Sequence, residues 1–183
     1  MTVTPDHTLL LQIRQDDESA LEALFERYYY RLCDFSFQYV KSFDLTEEIV
    51  SDVFLSIWER RHTITIRRDL KAYLFVATRN RSLNYIERDQ LDWEPIDEQD
   101  HYSGTLRPDE EIMLKETHHQ VDLLLNLLPP RRRLIFKLSR LEGFTYQEIA
   151  DILSISIHTV QNQMVHAVKQ MANLSHRVDR ENE

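Results

Sequence analysis

Three side chains near the end of the chain have the chemistry needed to recognise the edges of DNA bases. Gln161 and Asn162 each combine a hydrogen-bond donor and an acceptor that can match an adenine edge, and Val165 can pack on a thymine methyl group. The spacing of apolar residues predicts a helix here, with a buried face made of Ile157, Val160, Met164, Ala167, Val168 and Met171. The opposite face adds His158, His166 and Lys169 to the three recognition side chains. The pattern predicts a helix that can lie in the major groove of duplex DNA.

A helix-turn-helix, spanning Thr145 to Met171, would hold this face against DNA. Thr145 and Glu148 have the spacing of a capping box, which marks the start of a short first helix. That helix is predicted to bury Ile149, Ala150, Ile152 and Leu153. Residues 154–156 form a break, after which Ser156 can cap the second helix. Two short helices joined by such a turn are typical of DNA-binding units.

Positive charge surrounds the motif. The side chains able to attract phosphates are Arg131, Arg132, Arg133, Arg140 and Lys169. The alternative interpretation is a pair of amphipathic helices that simply pack together and leave a solvated outer face. The capping box and the turn favour DNA binding over that alternative.

The first half of the chain predicts three more helices. One runs from Leu21 to about Val40, after a polar and acidic segment at residues 6–18. The next starts near Thr46, a possible cap, and buries Ile49, Val50, Val53, Phe54, Ile57 and Trp58. A basic stretch from Arg60 to Arg68 is predicted to be a loop. The third helix runs from about Asp69 to Arg88. The residues predicted to face inward are Leu70, Tyr73, Leu74, Ala77, Leu83 and Ile86.

A linker separates these helices from the second half of the chain. Residues 89–111 contain prolines, a glycine and many acidic residues, and their apolar residues do not recur at helical spacing. This composition predicts a flexible connection. The next helix begins near Ile112 and carries Met113, Val121, Leu124 and Leu128. Pro129 and Pro130 then open a helix that runs to about Leu141 and stops at Gly143. We therefore predict an all-α chain with helical domains at 1–90 and 112–176, an acidic linker at 91–111 and a tail at 177–183.

The distribution of charge fits an anionic partner despite a net charge of −9. Residues 67–90 and residues 127–172 each hold 6 basic and 3 acidic side chains, whereas residues 91–126 hold 10 acidic and 2 basic ones. The single cysteine, Cys33, predicts a buried structural thiol and fits a reducing compartment. We find no signal peptide and no apolar run long enough for a membrane span, which predicts a cytoplasmic protein without membrane insertion.

At this point the chain resembles the extracytoplasmic-function (ECF) sigma factors, the smallest members of the bacterial sigma-70 family. In the first half, Thr46–Trp58 is similar to the region 2.2 helix of the family, and Leu70–Arg88 to its promoter-melting helix. In the second half, Leu128–Met171 resembles region 4, including the Glu142–Ala150 signature. The resemblance covers residues 24–90 and 112–172, and both blocks occur in the family's order and separation. It implies a factor that brings RNA polymerase core to promoters, recognises −35 and −10 elements and promotes strand separation.

The same resemblance implies which residues contact DNA and polymerase. Duplex DNA at −35 would meet Arg131, Arg132, Tyr146, His158, Thr159, Gln161, Asn162, Val165, His166 and Lys169. Single-stranded DNA at −10 would meet Arg61, Arg67, Arg68, Lys71, Arg79, Asn80, Asn84 and Arg88. The basic loop would capture an unstacked base there, and Tyr73 and Tyr85 either stack on bases or belong to the core. Polymerase core would meet Glu48, Asp52, Leu55 and Trp58, with Phe54 and Trp58 equally suited to the domain core.

Partners also follow from the resemblance. They are the clamp helices of the largest polymerase subunit, the flap of the second-largest subunit, promoter DNA, and an anti-sigma factor that is often membrane-anchored. The acidic linker, with Asp92, Glu94, Asp97, Glu98 and Asp100, would occupy the RNA path of the polymerase or serve only as a solvated tether.

Several positions depart from the common family pattern. Ser154 stands where a glycine often makes the turn, so it would need a left-handed backbone at a cost of about 1 kcal/mol. His158 and His166 stand where Lys or Arg is frequent, and Asn84 where Asp is frequent. The histidines weaken phosphate attraction at neutral pH. These departures affect the promoter sequence that is recognised rather than the family.

Two other classes of function are alternatives for this sequence. A stand-alone helix-turn-helix repressor or activator would bind duplex DNA without polymerase, usually as a dimer, and would not need the region around Asp52. An enzyme would need a phosphate loop, a metal-ligand cluster or a nucleophile motif, and the sequence contains none of these. The adjacent His118 and His119 point to different sides of a helix and make a poor metal pair. We predict no catalytic residue, metal site or cofactor.

Overall fold

The computed structural model describes residues 4–66, 69–88 and 125–181, with side chains to residue 171. Within these ranges the chain forms seven helices and no strand, which confirms the predicted all-α class. It divides into two compact units, Met1–Trp93 and Glu94–Glu183. The predicted linker at 91–111, its acidic residues and the predicted helix residues Met113, Val121 and Leu124 lie outside the described residues, as do His118 and His119.

Four helices build the first unit: α1 (Asp6–Ile13), α2 (Glu18–Val40), α3 (Phe43–Glu59) and α4 (Leu70–Arg88). Helix α2 is central and packs against the other three, and α4 also contacts α1 and α3. The core is made of side chains at helical spacing, among them Leu24, Leu32, Val50, Ile57 and Leu74, each of which is fully buried. Burial of this apolar surface is the main source of stability for the unit.

The sequence pattern does not predict helix α1, because residues 6–18 are mostly polar and acidic. Leu9 and Ile13 are four residues apart and lie on one face of α1, where both are buried against the rest of the unit. At its start, Asp6 pairs with Arg27 and accepts a hydrogen bond from the Tyr28 hydroxyl. The helix is therefore held by two apolar side chains and a polar contact to α2.

Two details of α3 and α4 also differ from the prediction. The cap of α3 is Ser42, whose side chain accepts from the Leu45 amide, whereas Thr46 is a buried residue inside the helix. The buried face of α4 consists of Leu70, Leu74, Phe75, Thr78, Ser82 and Ile86, so Tyr73, Ala77 and Leu83 are only partly buried. Ser82 is accommodated in the core because its hydroxyl lies 2.9 Å from the Ser36 hydroxyl and donates to the Thr78 carbonyl.

Three helices build the second unit: α5 (Pro130–Arg140), α6 (Tyr146–Leu153) and α7 (Ile157–Glu181). Pro130 occupies the first turn of α5, and Gly143, which has φ of +72°, follows its end, as predicted. All three helices contact one another. Leu125 and Leu128 pack with Ala167 in this core, so the residues before α5 contact the middle of α7.

The helix-turn-helix is confirmed in its local detail. Thr145 and Glu148 form both halves of the capping box that opens α6. Ser154 adopts the left-handed conformation with φ of 53° and ψ of 48°, and Ser156 accepts a hydrogen bond of 3.0 Å from the Thr159 amide at the start of α7. Helix α7 continues past Met171 to Glu181. In the described part of the chain, no helix is both long and apolar enough to cross a membrane.

Candidate nucleic-acid interface

The predicted recognition face of α7 is open to solvent. Its exposed side chains are His158, Gln161, Asn162, Val165, His166 and Lys169. Val165 is apolar yet 52% exposed, whereas Val160 and Met164 of the same helix are buried. The Asn162 amide nitrogen lies 3.1 Å from Nδ1 of His158, so these two polar groups orient one another across one helical turn.

The predicted buried face of α7 is partly wrong. Val160, Met164 and Ala167 are buried, and so is the polar Gln163, but Ile157 and Val168 are 41% and 47% exposed. The second unit therefore presents exposed apolar side chains beside its polar recognition face.

The arginines of α5 have different roles. The prediction that Arg133 attracts phosphates is wrong, because its side chain is buried and donates to Oδ1 of Asn126 and to the carbonyls of Asn126 and Leu128. Arg132 donates to Oε1 of Gln170 at 2.7 Å, so this predicted DNA contact also fastens α5 to α7. Arg131 and Tyr146 are partly exposed, and Arg140 is exposed. Arg133 was misassigned because its carbonyl partners are not apparent from spacing.

The first unit has a groove between α3 and α4. It is lined by Glu48, Ile49, Asp52, Arg81, Asn84, Tyr85 and Arg88. The structure thus brings together residues predicted to bind polymerase and residues predicted to bind the −10 strand. Nη1 of Arg81 lies 3.0 Å from Oδ2 of Asp52, and both side chains are substantially exposed. Arg81 was absent from the predicted site, although it lies one helical turn before Tyr85.

Aromatic rings in this part of the first unit carry cations on their faces. The Arg88 guanidinium lies 4.8 Å from the centre of the Tyr85 ring, and that of Arg61 lies 4.2 Å from the centre of the Trp58 ring. Trp58 and Tyr85 are both partly buried, so part of each side chain remains accessible to solvent. Phe54 is buried in the core, whereas Leu55 is 52% exposed on α3.

The remaining predicted −10 residues are spread along α4 and the preceding loop. Lys71 and Arg79 are partly exposed, Asn80 is exposed, and Nη1 of Arg79 donates to Oδ1 of Asn80 at 3.3 Å. Arg79 also approaches Tyr39, where burial raises the phenol pKa to about 12 and the nearby guanidinium partly opposes that rise. Arg67 and Arg68 lie outside the described residues.

The fold and these two sites define a class of protein: a two-unit helical factor with a helix-turn-helix in one unit and, in the other, a groove lined by acidic, basic and aromatic side chains. Two family models match its sequence. The model for sigma-70 region 2 matches residues 24–91, and the model for sigma-70 region 4 matches residues 118–171. Each match falls in one structural unit, and together they cover most of the chain.

Relatives span nearly the whole chain. The ECF RNA polymerase sigma factor SigX of Bacillus subtilis is 24% identical over 161 residues, covering 83% of this chain and 81% of the relative. The ECF RNA polymerase sigma-E factor of Haemophilus influenzae is 23% identical over 178 residues, covering 92% and 94%.

Solved structures share the fold. CnrH in complex with the cytosolic domain of CnrY has a TM-score of 0.58 and 17% identity, covering 94% of this chain and 97% of that one. The sigma factor RpoE of Bartonella quintana, in complex with the anti-sigma factor NepR, has a TM-score of 0.53 and 20% identity, covering 84% and 94%.

The chain belongs to the ECF group of the sigma-70 family. It is a sigma factor that binds RNA polymerase and directs transcription initiation at promoters. This confirms the predicted family and function.

Proposed function

We propose that the second unit recognises duplex DNA at the −35 element through the exposed face of α7. The observation that carries the proposal is the exposure of Gln161, Asn162 and Val165 on α7, which is capped by Ser156 and follows the capped helix α6. An amide can pair with an adenine edge, and an exposed valine can pack on a thymine methyl. Thr159 lies at the start of the same helix, where side chains and amides can approach a phosphate.

The first unit, in this proposal, binds the unstacked non-template strand at −10. Asn84 and Arg88 line a groove beside Tyr85, and Lys71, Arg79 and Asn80 extend the polar track along α4. Single strands favour a cationic surface with aromatic rings on which bases stack. Arg61, with Arg67 and Arg68, would supply the basic loop that captures a base at the end of this track.

Helix α3 would dock on the clamp helices of the largest polymerase subunit. Leu55 is an exposed apolar side chain, and Glu48 and Asp52 are exposed acids on the same helix. Burying the Leu55 side chain against a partner would remove apolar surface from water, and the two acids could meet basic side chains of that partner. Trp58 contributes at the edge of this patch, where Arg61 covers one face of its ring. The second unit would meet the flap of the second-largest subunit through exposed apolar side chains outside α7, Leu127 and Leu141.

We also propose an anti-sigma factor as the inhibitory partner and the cytoplasm as the site of action. The support is the structural likeness to the Bartonella sigma factor, which was solved with its anti-sigma factor. Exposed apolar residues such as Leu141, Ile157 and Val168 offer surface for such a partner. The residues at 91–111 would connect the two promoter-binding units.

Transcription by purified core polymerase and this chain tests the assignment of the two units. We expect Asn162→Ala and Val165→Ala to reduce discrimination among −35 sequences, whereas Asn84→Ala and Arg88→Ala reduce opening at −10. Val168→Ala is the matched control for Val165→Ala, because both valines are exposed on α7 but Val168 belongs to the apolar stripe. Equal loss in both valine variants, or −35 preferences that survive Asn162→Ala and Val165→Ala together, would refute the assignment.

A further inference from the structure

The turn between α1 and α2 lies against the loop that follows α3. Nη2 of Arg14 donates to the Ile64 carbonyl at 2.8 Å, across 50 residues of sequence. The Asp16 carboxylate pairs with Nε of Arg61 and lies 3.2 Å from Nε2 of His62. Two side chains of one turn, Arg14 and Asp16, therefore contact three residues of the loop.

The loop itself has a defined conformation over residues 60–66. The amides of Thr63 and Ile64 both donate to the Arg60 carbonyl, at 2.9 and 2.7 Å. The Ile64 side chain is buried, so it anchors the middle of the loop in the core. Nη1 of Arg61 donates to the Trp58 carbonyl at 2.7 Å while its guanidinium covers the Trp58 ring.

The start of α1 is attached independently of this loop. Arg27, on α2, pairs with Asp6 and donates to the Thr4 carbonyl at 2.7 Å. Arg14 and Arg27 thus both hold the α1 region in place, but only Arg14 reaches the loop. If Arg14 served only to attach α1, the two arginines would be equivalent in function.

We propose that Arg14 and Asp16 are positioning residues for the base-capturing loop, so that the α1–α2 turn takes part in promoter opening without touching DNA. The inference rests on the proposed function of residues 60–68 at the −10 element. Arg14 fixes the carbonyl of Ile64, and the amide of the same residue closes a turn by donating to the Arg60 carbonyl. Asp16 fixes Arg61 and His62, the residues that precede Ile64 in the loop, and keeps Arg61 on the Trp58 ring.

The Asp16 carboxylate carries a charge at the pH of transcription. The hydrogen bond and charge of Arg61 hold the pKa of the Asp16 carboxyl below its ordinary value, so Asp16 is ionised throughout the neutral range. Asp16 itself has φ of +64°, a conformation that asparagine also accepts readily. Asp16→Asn therefore removes the charge and leaves the turn conformation intact.

The experiment compares Arg14→Met, Arg14→Lys and Asp16→Asn with the matched control Arg27→Met in full-length protein bound to core polymerase. The readouts are opening at −10, measured by fluorescence of 2-aminopurine, base preference at the captured position, core affinity and thermal unfolding. We expect Arg14→Met to slow opening about tenfold, because it removes a hydrogen bond from a charged donor. Base preference should flatten, Arg14→Lys should restore part of both losses, and Arg27→Met should leave both unchanged.

The outcomes separate this inference from the function on which it rests. If Asn84→Ala and Arg88→Ala impair opening while Arg14→Met and Asp16→Asn leave it unchanged, the positioning role is refuted and the −10 assignment survives. If opening proceeds normally in all of these variants, the −10 assignment fails as well. If Arg14→Met and Arg27→Met impair opening equally, or if the base preference never changes, Arg14 only stabilises the fold. Should Arg14→Met unfold, Arg14→Lys and Asp16→Asn still decide between these results.

Discussion

At the scale of single residues, the exposed carboxylate of Asp52 has two alternative partners, one within the chain and one on the polymerase. Arg81 of α4 pairs with it in the free chain, and the proposed clamp contact would use the same carboxylate. An ion pair this exposed contributes roughly 0–1 kcal/mol to stability. The pair is therefore better explained as a contact that the polymerase can exchange than as a support of the fold.

This leads to a prediction about polymerase affinity. Asp52→Asn should weaken binding to core, because it removes the charge that the clamp would meet, whereas Arg81→Gln should leave binding equal or stronger. Both variants should unfold at nearly the wild-type temperature. Affinity for labelled core polymerase and thermal unfolding measure the two effects. Weaker binding by Arg81→Gln and unchanged binding by Asp52→Asn would reverse the proposed role of the pair.

Cys33 gives a second prediction at this scale. Burial raises the pKa of its thiol to about 11, and Glu47 adds to the rise while a hydrogen bond from Tyr29 opposes it. Because the thiolate is the reactive form and is scarce below that pKa, alkylation at pH 8 should be slow in the folded chain and fast after unfolding. Mass spectrometry after timed iodoacetamide treatment measures both rates. Equal rates in the two states would contradict the environment described for Cys33.

At the scale of elements, the helix-turn-helix combines a good cap with a strained turn. Glu148 accepts from the Thr145 amide and hydroxyl, both at 2.8 Å, and Thr145 accepts from the Glu148 amide. Thr145→Ala should lower the free energy of unfolding by about 1 kcal/mol. The change is measured by urea unfolding of the full chain, and a loss near zero would mean that α6 does not depend on its cap.

Ser154→Gly should have the opposite effect. Ser154 is left-handed, which costs a residue with a Cβ atom about 1 kcal/mol that glycine does not incur. The gain is reduced because glycine has more freedom in the unfolded chain. We expect a small increase in unfolding free energy and unchanged −35 preference. A clear destabilisation would show that the Ser154 side chain contributes more than its backbone strain costs.

Local chemistry explains which elements could be predicted from sequence. The capping box, the break at residues 154–156 and the stop at Gly143 depend on neighbours within four residues, and all three were predicted. The misassignments depend on contacts between residues more than four positions apart. Arg133 is buried because carbonyls before α5 accept from it, and Ser82 is buried because Ser36 of α2 faces it.

The missed helix α1 is an intermediate case. Leu9 and Ile13 carried a weak helical signal, but their burial requires the surfaces of the neighbouring helices. The contact of Arg14 with Ile64 could not be predicted at all, because nothing in the local sequence relates residues 50 positions apart. For the candidate site, the exposed face of α7 was predicted in full, whereas the groove that joins Asp52 to Arg81 and Asn84 required the packing of α3 on α4.

At the scale of the whole molecule, charge separates promoter binding from general DNA binding. The chain has a net charge of −9 and a pI of about 5.4, so its average field repels DNA and only local basic clusters attract it. The recognition face of α7 carries amides, histidines and a single lysine. Binding by two such units is strengthened when polymerase presents both to one promoter.

The free chain should therefore bind promoter duplexes weakly at physiological salt. We expect affinities no better than the range of about 10⁻⁴ to 10⁻⁶ M that is typical of non-specific complexes, and specific binding only with core polymerase present. Fluorescence anisotropy with −35 duplexes, with and without core, measures the difference. Tight, sequence-specific binding by the free chain would favour a stand-alone regulator.

The most direct test of the account is transcription from a library of randomised promoters by purified core polymerase with and without this chain. The account predicts that active templates share two sequence elements at a fixed separation, that Asn162→Ala together with Val165→Ala alters only the upstream element, and that Asn84→Ala together with Arg88→Ala impairs opening at the downstream one. Activity no greater than that of core alone, or a single element affected by both pairs of variants, would contradict it.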